Sequence, residues 1–441
     1  MSQHTASVAV LWSSSLAMLA VGANSTAIMA ALPDMQSDLG LSQDGVQWAI
    51  NAYLVVSAAF IVMGGQAADR FGARFASMGG LALFAIASCI IAAADTQNAL
   101  LAGRGLQGLA AAFAVPGTLA AVDTSAAPEL KARAVGTWTG FLMLGFSTGP
   151  LLGGTLTHFT SWRVIFWLNV PLMLVALVGL AVSRLRRADT QSRNHFDWVG
   201  FVLLATGMVS LVFALHAIPD SKSAPLSLLG SSVLAAAAFF LLVTFETRAK
   251  TPLVDLSFFA RPQFVMGVAI GSLSMFSIMS LLLYFNLYAQ DREGLSLTAL
   301  EAGIALLPLS ASLLAIALSA STIAEKIGLR TAISGGMGLI PIASALIGSS
   351  VAGGGMILLE MGLCLLGAGL ALPYALAPRL ALSALSPTQA GQGSGMVNAC
   401  TFLGGSAGVA AGAIAFGLGG IMPVLGMIGL AGIIGVVLSR R

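Results

Sequence analysis

Fourteen apolar runs, each long enough to cross a lipid bilayer, dominate the sequence. They fall at about 8–32, 46–66, 76–94, 99–122, 134–157, 163–182, 197–218, 226–246, 264–289, 300–322, 332–350, 356–378, 393–417 and 420–438. A span needs about 20 apolar residues. Inside hydrocarbon every backbone amide and carbonyl must be satisfied within its own segment, so the runs are expected to be helices. Composition agrees: 57% of the 441 residues are hydrophobic and 8% charged. A soluble domain carries roughly 25% charged residues. Fifty-one glycines fit the same reading, because small residues let membrane helices approach closely. The first run has no basic residue before it and is too long for a signal core, so it is read as a retained span.

Charge gives the orientation. Arg70, Arg74, Lys131, Arg133, Arg184, Arg186, Arg187, Arg193, Arg248, Lys250, Arg261, Lys326, Arg330, Arg379, Arg440 and Arg441 lie on alternate loops or ends, 16 of the 20 basic residues on one side. Arg163, Lys222 and Arg292 lie on the other side, and Arg104 lies within a span. The positive-inside rule then puts both termini in the cytoplasm, as an even span number requires. This distribution argues against nucleic acid as a partner. The expectation is a protein of the cell's inner membrane that takes a small-molecule substrate.

The chain repeats. Asp69-Arg-Phe-Gly-Ala-Arg74 followed by Gly79-Gly80 returns as Glu325-Lys-Ile-Gly-Leu-Arg330 followed by Gly335-Gly336, at an offset of 256 residues. That offset carries Arg104 onto Glu360 and puts Pro116 within one residue of Pro373. Gly145, Gly149 and Gly153 return as Gly404, Gly408 and Gly412 at an offset of 259. The pattern predicts an all-α membrane protein of two parallel six-helix repeats, 1–182 and 263–441, with two extra spans and linkers at 183–262. Parallel repeats are a transporter architecture with the site near the midplane. The extra spans, 197–218 and 226–246, read as connector or lipid-facing packing.

Several clusters carry possible chemistry. Gly65-Gln-Ala-Ala-Asp69-Arg70-Phe-Gly72-Ala-Arg74 joins spans two and three, with Gly72 at a tight turn. Arg70 and Arg74 could pair with Asp123 at the end of span four, making a latch that breaks and re-forms. The alternative is a plain positive-inside anchor. Arg104, with Gln107 and Gly108 on its helical face, lies at a depth where a charge is costly and functional by default. The alternative is a snorkelling side chain. Glu360 is the only acidic residue well inside a span, and could carry a proton or pair with Arg104. The alternative is an interfacial acid. Gly145-Phe-Ser-Thr-Gly149-Pro150-Leu-Leu-Gly153-Gly154 gives span five a small-residue face and a proline kink. Tyr53, Trp138, Phe141, Tyr284 and Tyr288 lie at cavity depth, with helix packing the commoner explanation for any one of them.

These residues resemble the major facilitator superfamily, and specifically its fourteen-span drug:proton antiporter family. Gly65–Arg74 resembles the superfamily signature. Leu101–Gly108 resembles the span-four motif, whose arginine is implicated in proton coupling. Gly145–Gly154 resembles the antiporter motif of exporters. Trp162-Arg163-Val-Ile-Phe166-Trp-Leu-Asn169-Val-Pro171, Asp197-Trp198-Val-Gly200 and Pro252-Leu-Val-Asp255 resemble signatures of the fourteen-span branch. The resemblance implies export of small amphipathic compounds by a monomer through alternating access, driven by the proton gradient, with no cofactor. One position departs from the pattern: the family's span-one aspartate is Asn24 here, which cannot titrate. A proton-independent facilitator or importer of a neutral or anionic solute is the runner-up.

An enzyme or sensor is the reading from another class. His4, His158, His195 and His216 are scattered, and no GxxxxGK[ST] segment is present. Cys89, Cys364 and Cys400 fall inside spans, which argues against a disulfide or a metal site.

Overall fold

The apolar runs fold as helices throughout. The computed structural model describes residues 3–183, 197–218, 225–249, 253, 255–386 and 389–440. Arg184, Arg186, Arg187, Arg193, His195, Lys222, Lys250, Pro252, Val254 and Arg441 lie outside the described residues, as does the side chain of His4. Fourteen long helices and one short one make up the chain among the described residues. Thirteen of the long ones are apolar enough to cross a membrane. The fourteenth is the Gly- and Thr-rich helix of the antiporter-like motif, which has the length but a lower hydropathy.

The helices group into two compact units, Met1–Asn194 with Leu297–Ile304, and His195–Ser296 with Ala305–Arg441. The first unit holds α1 (Gln3–Leu39), α2 (Gln43–Phe71), α3 (Ala73–Ala92), α4 (Gln97–Ser125), α5 (Lys131–Phe159) and α6 (Arg163–Val182). The second holds α7 (Trp198–His216), α8 (Pro225–Glu246) and α9 (Pro262–Gln290). The short α10 (Ala299–Ala305) begins in the first unit. The second unit resumes with α11 (Leu307–Ile327), α12 (Leu329–Ser349), α13 (Met356–Leu382), α14 (Ala390–Gly419) and α15 (Ile421–Arg440). The two extra helices cluster with the C-terminal half. They pack on each other, with Gly207 against the Phe239 ring, and α8 exposes Leu226, Leu229, Val233 and Phe240. An apolar face of that kind suits lipid.

Helix starts follow local capping chemistry. Ser42 caps α2 by accepting from the Gly45 amide at 3.0 Å, and Thr96 caps α4 by accepting from Ala99 at 3.3 Å. Asp197 caps α7 by accepting from Gly200 at 2.8 Å. A side chain at Gly200 would strike the buried Glu246 carboxylate of α8, which explains the glycine in that signature. The run expected at 300–322 is divided between α10 and α11, because Pro308 cannot donate to the previous turn.

The repeat is visible in backbone conformation. Gly72 adopts φ 93, ψ 147 between α2 and α3, and Gly328 adopts φ 91, ψ 144 between α11 and α12. That left-handed region is reserved in practice for glycine. Beyond α12 the register changes. Gly103 packs on Ile91 as Gly362 packs on Ile347, and Gly108 packs on the Tyr53 backbone as Gly367 packs on Leu309. The earlier partner is offset by 256 and the later by 259 in both pairs. Three residues are therefore inserted at the α12–α13 turn, where Gly353 and Gly355 take positive φ. The structural counterpart of Arg104 is Leu363, not Glu360, and that of Gln107 is Leu366. Both leucines are fully buried.

Candidate functional site

Arg104 is the largest fully buried side chain of the first unit, 1% exposed and two turns into α4. Gly108 and Gly64 let α4 and α2 meet backbone to backbone, which brings the Tyr53 ring under the guanidinium, 4.7 Å from its centroid. Arg104 Nε donates to the Ala49 carbonyl of α2 at 2.8 Å. Its Nη1 donates to Gln107 Oε1 at 2.7 Å. No acidic side chain pairs with Arg104 among the described residues.

The amides around it have a fixed sense. The Ser88 hydroxyl of α3 donates to the Phe84 carbonyl at 2.7 Å, so its oxygen can only accept from other groups. Gln107 Nε2 donates to it at 2.8 Å. That turns Gln107 Oε1 toward Arg104, where it also receives Asn24 Nδ2 of α1 at 3.4 Å. Asn24 Oδ1 in turn accepts from Asn169 Nδ2 of α6 at 2.9 Å. Asn24, Gln107, Ser88 and Asn169 are all buried, and the chain of bonds links α1, α2, α3, α4 and α6. Snorkelling is excluded by this burial. The Ser25 hydroxyl lies 3.4 Å from the Tyr53 hydroxyl at the edge of the network.

Glu360 is elsewhere. It is exposed, one turn into α13, and has no partner among the described residues. The expected burial at Arg104's depth fails because of the inserted residues before α13, which place Glu360 opposite Leu101 in the repeat.

The expected latch pairing is replaced by shorter-range contacts. Asp123 pairs with Lys131 at 3.0 Å, its neighbour across the α4–α5 turn. Arg74 Nη2 donates to the Ala181 carbonyl at 2.9 Å, at the end of α6 where carbonyls lack helical partners. Asp69 and Arg70 are exposed, and neither forms an ion pair among the described residues. Gly65 has open space around it.

The antiporter-like motif forms a close seam. Gly145, Gly149 and Gly153 of α5 meet the α1 backbone at Leu19, Ala23 and Ala27, and Gly154 meets Ala299 of α10. Pro150 cannot donate to the Phe146 carbonyl, and the Thr26 hydroxyl of α1 takes that bond instead at 3.0 Å. The same seam recurs in the second unit, where Gly404 and Gly408 meet α9 at Ser272 and Phe276.

Of the aromatic candidates, Tyr53 alone belongs to the network. Trp138 is buried and donates to Thr118 at 3.1 Å, and Phe141 is half-buried with its ring 5.6 Å from Trp12. Tyr284 is buried, donates to the Val409 carbonyl at 2.7 Å and packs under Gly412, so it pins α9 to α14. Tyr288 is half-buried, and its carbonyl receives the Leu295 amide at 3.3 Å.

Reading the sequence alone misses Ser88, which gives no signal in an apolar helix, and Asn169, which appears only as a letter in a signature. It also misses Asp38. Arg163 pairs with Asp38 of α1, stacks on Trp162 at 4.4 Å and reaches Asp95 at 3.6 Å, while Trp162 Nε1 donates to Asp38 at 2.9 Å. These contacts tie α1, α6 and the α3–α4 turn together at one end of the unit. No group of three or more metal-ligating side chains exists among the described residues.

A family model described as the Major Facilitator Superfamily matches residues 14–409. The chain is 31% identical over 397 residues to the tetracenomycin C resistance and export protein of Streptomyces glaucescens, covering 89% of this chain and 73% of that one. It is 29% identical over 383 residues to the multidrug resistance protein Stp of Mycobacterium tuberculosis, covering 86% and 70%. A solved POT family peptide transporter shares the fold, with a TM-score of 0.71 at 15% identity over 99% of this chain and 97% of that one.

Proposed function

The chain belongs to the Major Facilitator Superfamily, and from that premise we propose that it exports drug-like amphipathic compounds by alternating access coupled to proton entry. It is a multi-pass membrane transporter and not an enzyme. On this reading it lies in the inner membrane of a bacterial cell, works as a single chain and keeps both termini in the cytoplasm.

The buried Arg104 network carries the proposal. A guanidinium inside a membrane-spanning helix is expensive, and such groups mark transport pathways or proton relays. The small-residue seams of α5 on α1 and α14 on α9 supply faces on which helices can slide. The similarity to a multidrug resistance protein and to a tetracenomycin C resistance and export protein supports the direction of transport.

A second reading is favoured by one observation. Asn24 and Gln107 are amides, and the network holds no carboxyl. A facilitator that needs no proton fits such a site.

Everted membrane vesicles with an acid interior separate the two. The expected result is that tetracenomycin C evokes proton release in the wild type. Glu360→Gln should keep that response, since its side chain is exposed and outside the network. Transport that ignores the pH gradient would favour the facilitator. No response to tetracenomycin C or to a panel of amphipathic drugs would overturn proton-coupled export.

A further inference from the structure

We propose that the Arg104 network is an anion-recognition site, and that the cargo of this transporter is acidic, presenting a carboxylate or a similar oxyanion to Arg104 and Asn24. Two donors converge on one oxygen. Arg104 Nη1 and Asn24 Nδ2 both point at Gln107 Oε1, at 2.7 and 3.4 Å. A cation and an amide aimed at the same oxygen is the arrangement that recognises carboxylates, because charge-assisted bonds to an oxyanion are the strong ones. The Gln107 carboxamide oxygen fills the place that a substrate oxygen would take. Rotation of the Gln107 side chain hands both donors to the incoming anion.

Charge balance points the same way. Among the described residues the network contains one cation and no carboxylate: Arg104 is joined by neutral groups that include Asn24, Gln107, Ser88, Asn169, Ser25 and Tyr53. A buried ion held only by neutral groups is stabilised further by any anion that reaches it. The second unit provides no matching charge at the equivalent positions. Leu363 and Leu366 stand where the first has Arg104 and Gln107, and Glu360 is exposed. The fixed sense of the amides adds selectivity. Ser88 donates to Phe84 and Asn169 donates to Asn24, so the Asn24 amide nitrogen is held toward the guanidinium rather than its oxygen. A cationic compound would meet a cation and an N–H donor there.

The proposal rests on the export reading for what it says of cargo, but binding can be read without a gradient. The test uses the purified full chain in nanodiscs of zwitterionic lipid and two dyes with the same xanthene core: anionic fluorescein and the cationic methyl ester of rhodamine. Fluorescence anisotropy reports binding. The wild type is expected to bind fluorescein at least about tenfold more tightly than the rhodamine ester, the discrimination of one charge-assisted contact. Asn24→Asp changes one atom group, places a carboxylate beside Arg104 and should reverse the order. A wild type that prefers the cation, a wild type that binds neither dye, or an Asn24→Asp variant with unchanged preference would each overturn the proposal. Dye binding as predicted together with no drug response in vesicles would instead sink the export reading and leave the anion site standing.

Discussion

Arg104 Nη1 donates to Gln107 Oε1 at 2.7 Å, one helical turn away on the same face of α4. The bond ties the guanidinium to a side chain of its own helix, and Gln107 is fixed in turn by Ser88. Two substitutions at Gln107 act differently on the network. Gln107→Leu removes the acceptor and leaves a buried donor unmade, which costs about 1–3 kcal/mol. Gln107→Glu supplies a counter-ion to Arg104 but turns a second acceptor toward the Ser88 hydroxyl, which can only accept, so it should not raise the Tm of the purified protein. Both should abolish transport, the second by locking Arg104 internally. Thermal unfolding in detergent, paired with flux in proteoliposomes, checks both.

The α1–α5 seam predicts a sharp contrast between glycines. Gly149 faces Thr26 and the Ala23 carbonyl, whereas Gly65 faces open space. Gly149→Leu should destabilise by about 1–3 kcal/mol through overpacking. Gly65→Ala should be close to neutral in stability. Thr26→Val should weaken the same seam, because it leaves the Phe146 carbonyl without the bond that Pro150 already denies it. Yields of folded protein and Tm values for the three variants are the measurement.

At the other end of the first unit, Arg163 joins Asp38 and Asp95. Arg163 and Asp38 are partly exposed and Asp95 is largely exposed, so Asp38→Asn should cost no more than about 1 kcal/mol. Amide exchange should rise at the Ala94–Asp95 turn, whose carbonyl at Ala94 also accepts from Arg163 at 3.0 Å. An unchanged exchange rate there would remove the clamp from the account.

The start of α10 carries a pH dependence. The Thr298 backbone amide and hydroxyl donate to Glu301 at 2.8 and 2.9 Å, and they hold its carboxyl below the usual glutamate range. A depressed pKa contributes stability that is full above the ordinary glutamate pKa and is lost as pH falls through the depressed value. Protection of the Glu301 amide, which donates to Thr298 at 3.3 Å, should therefore be present at neutral pH and fade in acid. Glu301→Gln should flatten that dependence.

Much of this was legible in the residues, for physical reasons that also mark where legibility ends. Hydrophobic run length reports burial in lipid directly, so the long helices could be read off. The Gly72 and Gly328 turns were legible because one unusual φ demands one residue type. Arg104 with Gln107 was legible because helical spacing alone places them together. Asn169 and Ser88 were not, since their partners lie 145 and 19 residues away and helix packing alone brings them together. Glu360 was misplaced because a constant offset assumes no insertion. The three added residues before α13 turn the helix by most of a turn, and only the packing partners of Gly362 and Gly367 reveal it. Arg74 and Asp123 do not pair, because each has a partner of its own: Asp123 takes Lys131, and Arg74 takes a free carbonyl at the end of α6.

The central claim is that transport depends on the buried arginine of the first unit and not on the equivalent place in the second. Flux of an amphipathic drug that the wild type transports should be compared among wild type, Arg104→Met and Leu363→Met in proteoliposomes, each checked for folding by size exclusion. The account predicts that Arg104→Met abolishes flux while Leu363→Met retains most of it. Wild-type flux through folded Arg104→Met would contradict it.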